Sequence, residues 1–139
     1  MTSVILDTNV VLSFLTDRNA SQQRQSASLI ESVGPEISLV VHQQVLTEMV
    51  YVLVNHYGQS RALVRSMIEE FLALPATEVV DTVSWPRVLK LWPESYRDFT
   101  DAVLGDLAAT RRHAAVATFD EVFARRLGRN GVEVWDFRS

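Results

Sequence analysis

The chain contains no cysteine, which removes disulfide frameworks, thiolate zinc sites and cysteine nucleophiles together. Any metal must then sit on oxygen or imidazole. Lysine is nearly missing as well: Lys90 is the only one. A phosphoacceptor receiver needs a lysine after a late strand, and Lys90 falls in a mid-chain helical stretch, so that class is disfavoured. A phosphatase of the haloacid dehalogenase kind needs a second aspartate two places after its nucleophile, where this chain has Asn9 after Asp7. Long apolar runs are absent too. The stretch Val45 to Val54 is interrupted by Thr47 and Glu48, too short and too polar to span a bilayer. The start, Met1 to Leu6 followed by Asp7, lacks a basic region and meets an acid at once, so no signal peptide is expected and the cytoplasm is the expected location. The three histidines, His42, His56 and His113, have no mutual spacing suited to a metal or to acid–base work; solvation or capping is expected of them.

What remains is a globular composition. The 139 residues are 47% hydrophobic and 22% charged, enough chain to bury a core without crosslinks, and residues 1–139 are expected to form one domain. The net charge of −4 argues against coating nucleic acid by bulk electrostatics. Arginine is nevertheless concentrated late in the chain. If Arg111, Arg112, Arg125 and Arg126 share a face, they are candidate RNA contacts, although a solvated helix face is the plainer reading.

Hydrophobic patterning gives alternating strands and helices. Ser3 to Leu6 reads as a strand, Asp7-Thr8-Asn9 as a helix cap and Val10 to Leu15 as a short helix. A second helix runs to Glu31 and stops at Gly34-Pro35. Ile37 to Val41 is a strand buried on both faces, His42 to His56 a long helix with Gly58 as its C-cap, and Arg61 to Leu74 another helix. Thr77 to Val80 is a third strand; Ser84-Trp85-Pro86 opens a helix with an early proline. Phe99 to Arg112, Ala114 to Thr118, Glu121 to Leu127 and Val132 to Val134 complete the pattern as helix, strand, helix and weak strand. No hairpin signal appears, so an α/β fold with a mainly parallel sheet is expected. Trp85, Trp92 and Met67 fall at helical spacings and read as core or dimer interface. Asp106, five residues past Asp101 and off its helical face, reads as surface.

The acids carry the chemistry. Asp7 and Asp120 follow the ends of predicted strands, and in an open parallel sheet those ends meet at one rim where ligands bind. Glu48 lies among Val45, Tyr51 and Val52, an apolar setting that an acid tolerates only when paired or metal-bound. Asp98 and Asp101, three apart at a helix start, can face the same way. Each acid alone has a plain explanation, as a cap or as an ion-pair partner. Converged, they do not: two charges ~5 Å apart at an effective dielectric of ~20 repel by roughly 3 kcal/mol, and several such pairs would rival the ~5 to 15 kcal/mol stability of a domain. Such a cluster must take up protons or a cation, and hard oxygen ligands favour Mg²⁺ or Mn²⁺. That chemistry suits phosphodiester hydrolysis with one or two ions.

Four segments together resemble a known family: Asp7-Thr8-Asn9 after a hydrophobic first strand, Glu48 in the third helix, Asp98-Phe99-Thr100-Asp101-Ala102, and Ala117-Thr118-Phe119-Asp120. In this order and spacing they resemble the PIN domain, specifically the VapC toxins of type II toxin–antitoxin pairs, from residue 3 to about residue 136. The resemblance implies a three-layer α/β/α domain with Asp7, Glu48, Asp101 and Asp120 as metal-site and catalytic acids. Asn9 and Thr118 would be orienting supports, and Asp98 either a ligand or a second-sphere residue. It further implies a homodimer, cleavage of structured RNA such as tRNA, and a VapB-like antitoxin that blocks the site. The rival reading is a non-catalytic dimeric scaffold, which would have little reason to keep all four acids.

Overall fold

Thr2–Leu6 (β1) is the central strand of a five-stranded sheet, in a computed structural model that describes residues 1–138. Ile37–His42 (β2) and Thr77–Val80 (β3) extend the sheet on one side, and Ala114–Ala117 (β4) and Glu133–Val134 (β5) on the other. The order is β3-β2-β1-β4-β5, and every pairing is parallel. Val4, Ile5, Leu6, Leu39, Val40 and Val116 are completely buried, as strands covered on both faces require.

Helices supply those covers. Thr8–Leu15 (α1) and Ala20–Glu31 (α2) join β1 to β2. Gln43–Tyr51 (α3) continues as a π-helical turn over Val52–His56, and Arg61–Leu72 (α4) then leads to β3. Trp85–Leu91 (α5) and Phe99–Thr110 (α6) carry the chain back to β4, and Glu121–Arg129 (α7) joins β4 to β5. Crossovers between parallel strands are right-handed, so the outward path from β1 to β3 lays α1 to α4 on one face, and the return lays α5 to α7 on the other. The result is the three-layer α/β/α architecture. Leu6 pairs with Ala117, so β1 and β4 end side by side. The direction of winding reverses between these two strands, which opens a crevice at their carboxyl ends.

Most predicted boundaries hold to within two or three residues. The long helix differs in kind: after Tyr51 it widens, with the Tyr57 N–H bonding the Val52 carbonyl at 2.9 Å, five residues back. Gly58 then takes a positive φ of 64°, the left-handed conformation that a glycine C-cap permits. His42 is a cap, as one of the two readings had it, but it is buried rather than solvated. Its Nδ1 accepts from the Gln44 N–H at 3.0 Å, and its Nε2 lies 3.0 Å from the Thr82 carbonyl.

Two other expectations are corrected. Asp106 is buried, not on the surface, and the Arg87 guanidinium grips both its oxygens at 2.9 and 3.2 Å. The spacing rule placed it correctly off the face of Asp101, but α6 is covered on that side too, by α5. Of the two readings of Trp85 and Trp92, core or dimer interface, core does not hold: they are 57% and 37% exposed at the start and just past the end of α5, with Leu89 between them at 53%. Among the described residues, no helix is long and apolar enough to cross a membrane.

Candidate active site

Three helices begin at the crevice, and an aspartate caps each. Asp7, in extended conformation after β1, accepts the Thr8 N–H at 2.8 Å and starts α1. Asp98 accepts the Asp101 N–H at 3.0 Å and starts α6. Asp120 accepts the Val122 and Phe123 N–H groups at 2.9 and 3.1 Å and starts α7. Capping explains why the sequence has acids here, since a side-chain oxygen satisfies amides that the helix leaves orphaned. It does not use the acids up. Asp98 and Asp120 each cap through Oδ1 alone, so Oδ2 is left for a ligand. The positive ends of three helix dipoles also point at the crevice and offset part of its negative charge.

Asp7 is only 7% exposed and is held from several directions. The Thr118 hydroxyl donates to its Oδ2 at 2.7 Å, and the Asn9 amide approaches the same oxygen at 3.3 Å. Asn9 also accepts the Phe119 N–H at 3.1 Å, and the Thr118 oxygen accepts the Asp120 N–H at 3.0 Å. Asn9 and Thr118 thereby tie the segment after β1 to the segment after β4.

Glu48 reaches the crevice from α3. The Thr8 hydroxyl donates to its Oε2 at 3.0 Å, and the Thr100 hydroxyl donates to Oε1. Sequence reasoning placed Thr8 only in a helix cap and assigned Thr100 no role. Thr100 is 3% exposed, and its position inside the Asp98 to Ala102 segment was the available signal. Asp101, one residue on, is half-buried on the first turn of α6.

The acids sense one another. Burial is the main reason the Asp7 carboxyl is pushed up to about 6; the charges of Glu48 and Asp120 add to it, while the Thr118 and Thr8 hydrogen bonds oppose it. Asp101 is pushed up to about 8, chiefly by burial and then by the charges of Asp7, Asp98, Asp120 and Glu48. All five predicted acids therefore lie within one electrostatic neighbourhood. Among the described residues, however, no three of them are arranged as a ready chelating group. Asp7, Glu48, Asp98 and Asp120 are turned toward hydroxyl and amide donors. The donor set fits a hard dication: every candidate ligand is a carboxylate oxygen, and burial together with the neighbouring negative charges pushes the Asp7 and Asp101 carboxyls up, a cost that a bound cation would relieve.

Two of the four late arginines have partners within the chain. Arg111 and Arg112 stand at the far end of α6, about 20 Å from Asp98 along the helix at ~1.5 Å rise per residue. Arg111 is committed to Glu78 of β3 through bonds of 3.1 and 2.7 Å. Arg126 turns inward to the Ser95 carbonyl at 3.4 Å, and Arg125 is exposed on α7.

The fold has known counterparts. VapBC2 from Rickettsia felis, in a structure bound to a DNA fragment from their promoter, matches with a TM-score of 0.69 and 16% identity over 96% of this chain and 98% of that one. VapBC-1 from nontypeable Haemophilus influenzae matches at TM-score 0.58 and 16% identity, covering 99% and 100%. The PIN domain endonuclease Utp24 matches at TM-score 0.56 and 16% identity, covering 97% and 86%. No curated protein matches at the level of sequence. The sequence pattern of the PIN domain itself matches residues 4–127, a span that begins in β1 and ends in α7 and so takes in all five acids. The chain belongs to the PIN domain family.

Proposed function

We propose that this protein is a Mg²⁺-dependent endoribonuclease of the VapC kind, with Mn²⁺ as an alternative ion, acting in the cytoplasm on tRNA or other structured RNA. The observation that carries this is the shared electrostatic field of Asp7, Glu48, Asp98, Asp101 and Asp120 around one crevice. Asp7, Glu48, Asp101 and Asp120 would hold the ion, with Asp98 beside them. A bound dication there would neutralise the phosphate, lower the pKa of an attacking water and stabilise the leaving oxygen. The chain's own part is positional. Thr8 and Thr100 aim Glu48, Thr118 and Asn9 aim Asp7, and three helix N-termini support a negatively charged substrate.

Two surfaces suit the partners of such an enzyme. Trp85, Leu89 and Trp92 lie at i, i+4 and i+7 along α5 and are exposed, the stripe a second copy would cover in a homodimer. Leu46, Val50, Val54, Val64, Ile68 and Leu72 line a largely apolar cavity of about 790 Å³ between α3, the π-helical turn and α4. A VapB-like antitoxin segment would lie there as a helix laid in a groove.

The test is the chemistry of the RNA ends. Water attack leaves 5′-phosphate and 3′-hydroxyl ends; 2′,3′-cyclic phosphate would mean that the RNA's own 2′-hydroxyl attacked, and would refute the mechanism.

A further inference from the structure

We infer that Arg18 is a phosphate-binding residue beside the acid crevice, taking a backbone phosphate of the RNA next to the one cleaved; this rests on the nuclease reading above. A site built from five carboxylates repels a polyanion, so the strand flanking the scissile bond needs a cation close by. Of the late arginines, Arg111 is paired with Glu78 and Arg126 is turned to the Ser95 carbonyl.

Arg18 supplies that cation. It follows α1, and its guanidinium lies 3.6 Å from the centroid of the Tyr57 ring. Tyr57 is the residue that the π-helical turn delivers, held by its N–H bond to Val52. Cation–π attraction favours holding a guanidinium over a ring face, and a planar guanidinium carries its N–H groups around its edge. Among the described residues no carboxylate pairs with Arg18, unlike Arg65, Arg87, Arg111 and Arg138. It is a fixed, unneutralised fork of donors, the geometry that grips a phosphate bidentately.

Its location ties it to the acids. Arg18 and Tyr57 line a cavity of about 160 Å³ with Asn9, Ser13, Thr16 and Gln22. Asn9 is shared between this cavity and the crevice, with its amide 3.3 Å from Asp7 Oδ2. The other walls combine Ser13, Thr16, Asn19 and Gln22, neutral hydroxyls and amides that do not repel a phosphate, with the apolar side chain of Leu12. A strand whose scissile phosphate lies at Asp7 would pass over Asn9 and offer its neighbouring phosphate to Arg18.

The experiment measures cleavage of a labelled single-stranded RNA oligonucleotide and of bulk tRNA in Mg²⁺ at several salt concentrations. The unaltered protein is compared with Arg18→Gln, Tyr57→Leu and Tyr57→Phe. Arg18→Gln raises KM several-fold with kcat little changed, and lowers the slope of log(1/KM) against log[salt] by about 0.7, one phosphate contact on a single strand. Tyr57→Leu shifts KM the same way, and Tyr57→Phe, which keeps the ring, does not. Melting midpoints and their response to Mg²⁺ stay unchanged in Arg18→Gln and Tyr57→Phe, while Tyr57→Leu loses some packing against the core but keeps its response to Mg²⁺. Unchanged KM and salt slope in Arg18→Gln overturn the inference while leaving the nuclease standing. A lower melting midpoint with unchanged KM also overturns it, reducing Arg18 to a clamp between loop and helix. If the unaltered protein cleaves no RNA, the nuclease reading falls and this inference falls with it.

Discussion

Thr118 donates a 2.7 Å hydrogen bond to Asp7 across 111 residues of sequence. Because β1 and β4 are neighbours in register, the residues just past their ends meet, and one hydroxyl orients a buried carboxylate. The same oxygen receives the Asp120 N–H. Thr118→Val, similar in shape but without the hydroxyl, therefore leaves an amide and a carboxylate short of partners, at a cost of ~1 to 3 kcal/mol. Denaturant unfolding would read that loss and cleavage assays a drop in kcat; Thr118→Ser restores most of both.

The raised carboxyls predict an inverted pH response. Asp7 and Asp101 start near 3.8 in the unfolded chain and are pushed up to about 6 and about 8 when folded. Between pH 4 and pH 8 the native state thus holds protons that the unfolded state has released, and stability falls as pH rises. In chelator, the melting midpoint is expected to be higher at pH 5 than at pH 8. Mg²⁺ narrows the gap by raising the pH 8 value. Asp101→Asn, which removes a charge its neighbours oppose, melts higher than the unaltered protein at pH 8 in chelator while losing cleavage.

Gly105 sets how closely α6 approaches its neighbours. A methyl group there would come within 2.6 to 2.7 Å of the Tyr96 ring, and Tyr96 is only 1% exposed, with nowhere to go. Helix propensity favours Gly105→Ala by about 1 kcal/mol, but overpacking costs typically ~1 to 3 kcal/mol, so the net effect is a loss. Asp101 lies one turn before Gly105 on the same helix, so displacement of α6 should lower activity by more than the folded fraction accounts for. Activity per folded molecule at low temperature would reveal it.

The strand ends were legible in the sequence because a strand and a following acid are a local pattern. Asp7 and Asp120 needed only the rule that parallel strands finish at one rim. Glu48 stood out because an acid among Val45 and Val52 is anomalous. Its partners did not stand out: Thr8 and Thr100 reach Glu48 from two other helices, and which hydroxyl meets which carboxylate depends on packing between elements far apart in sequence. Asp106 was misread for the same reason, since a helix buried all round gives no polar face from which to judge exposure. The Arg111 pairing with Glu78 of β3 likewise joins residues 33 apart in sequence and has no local signal. The widening of α3 at Val52 has no local sequence signal that distinguishes it from an ordinary helical turn.

The most direct measurement is a melting titration of the unaltered protein and Asp7→Asn with Mg²⁺ or Mn²⁺ at pH 8. A crevice that needs a dication gains ~2.7 kcal/mol once the ion reaches 100 times its dissociation constant, so the midpoint of the unaltered protein climbs and then flattens, while Asp7→Asn responds weakly or not at all. Identical curves for the two proteins, or no response in either, would contradict a metal-dependent nuclease and favour a scaffold that only binds.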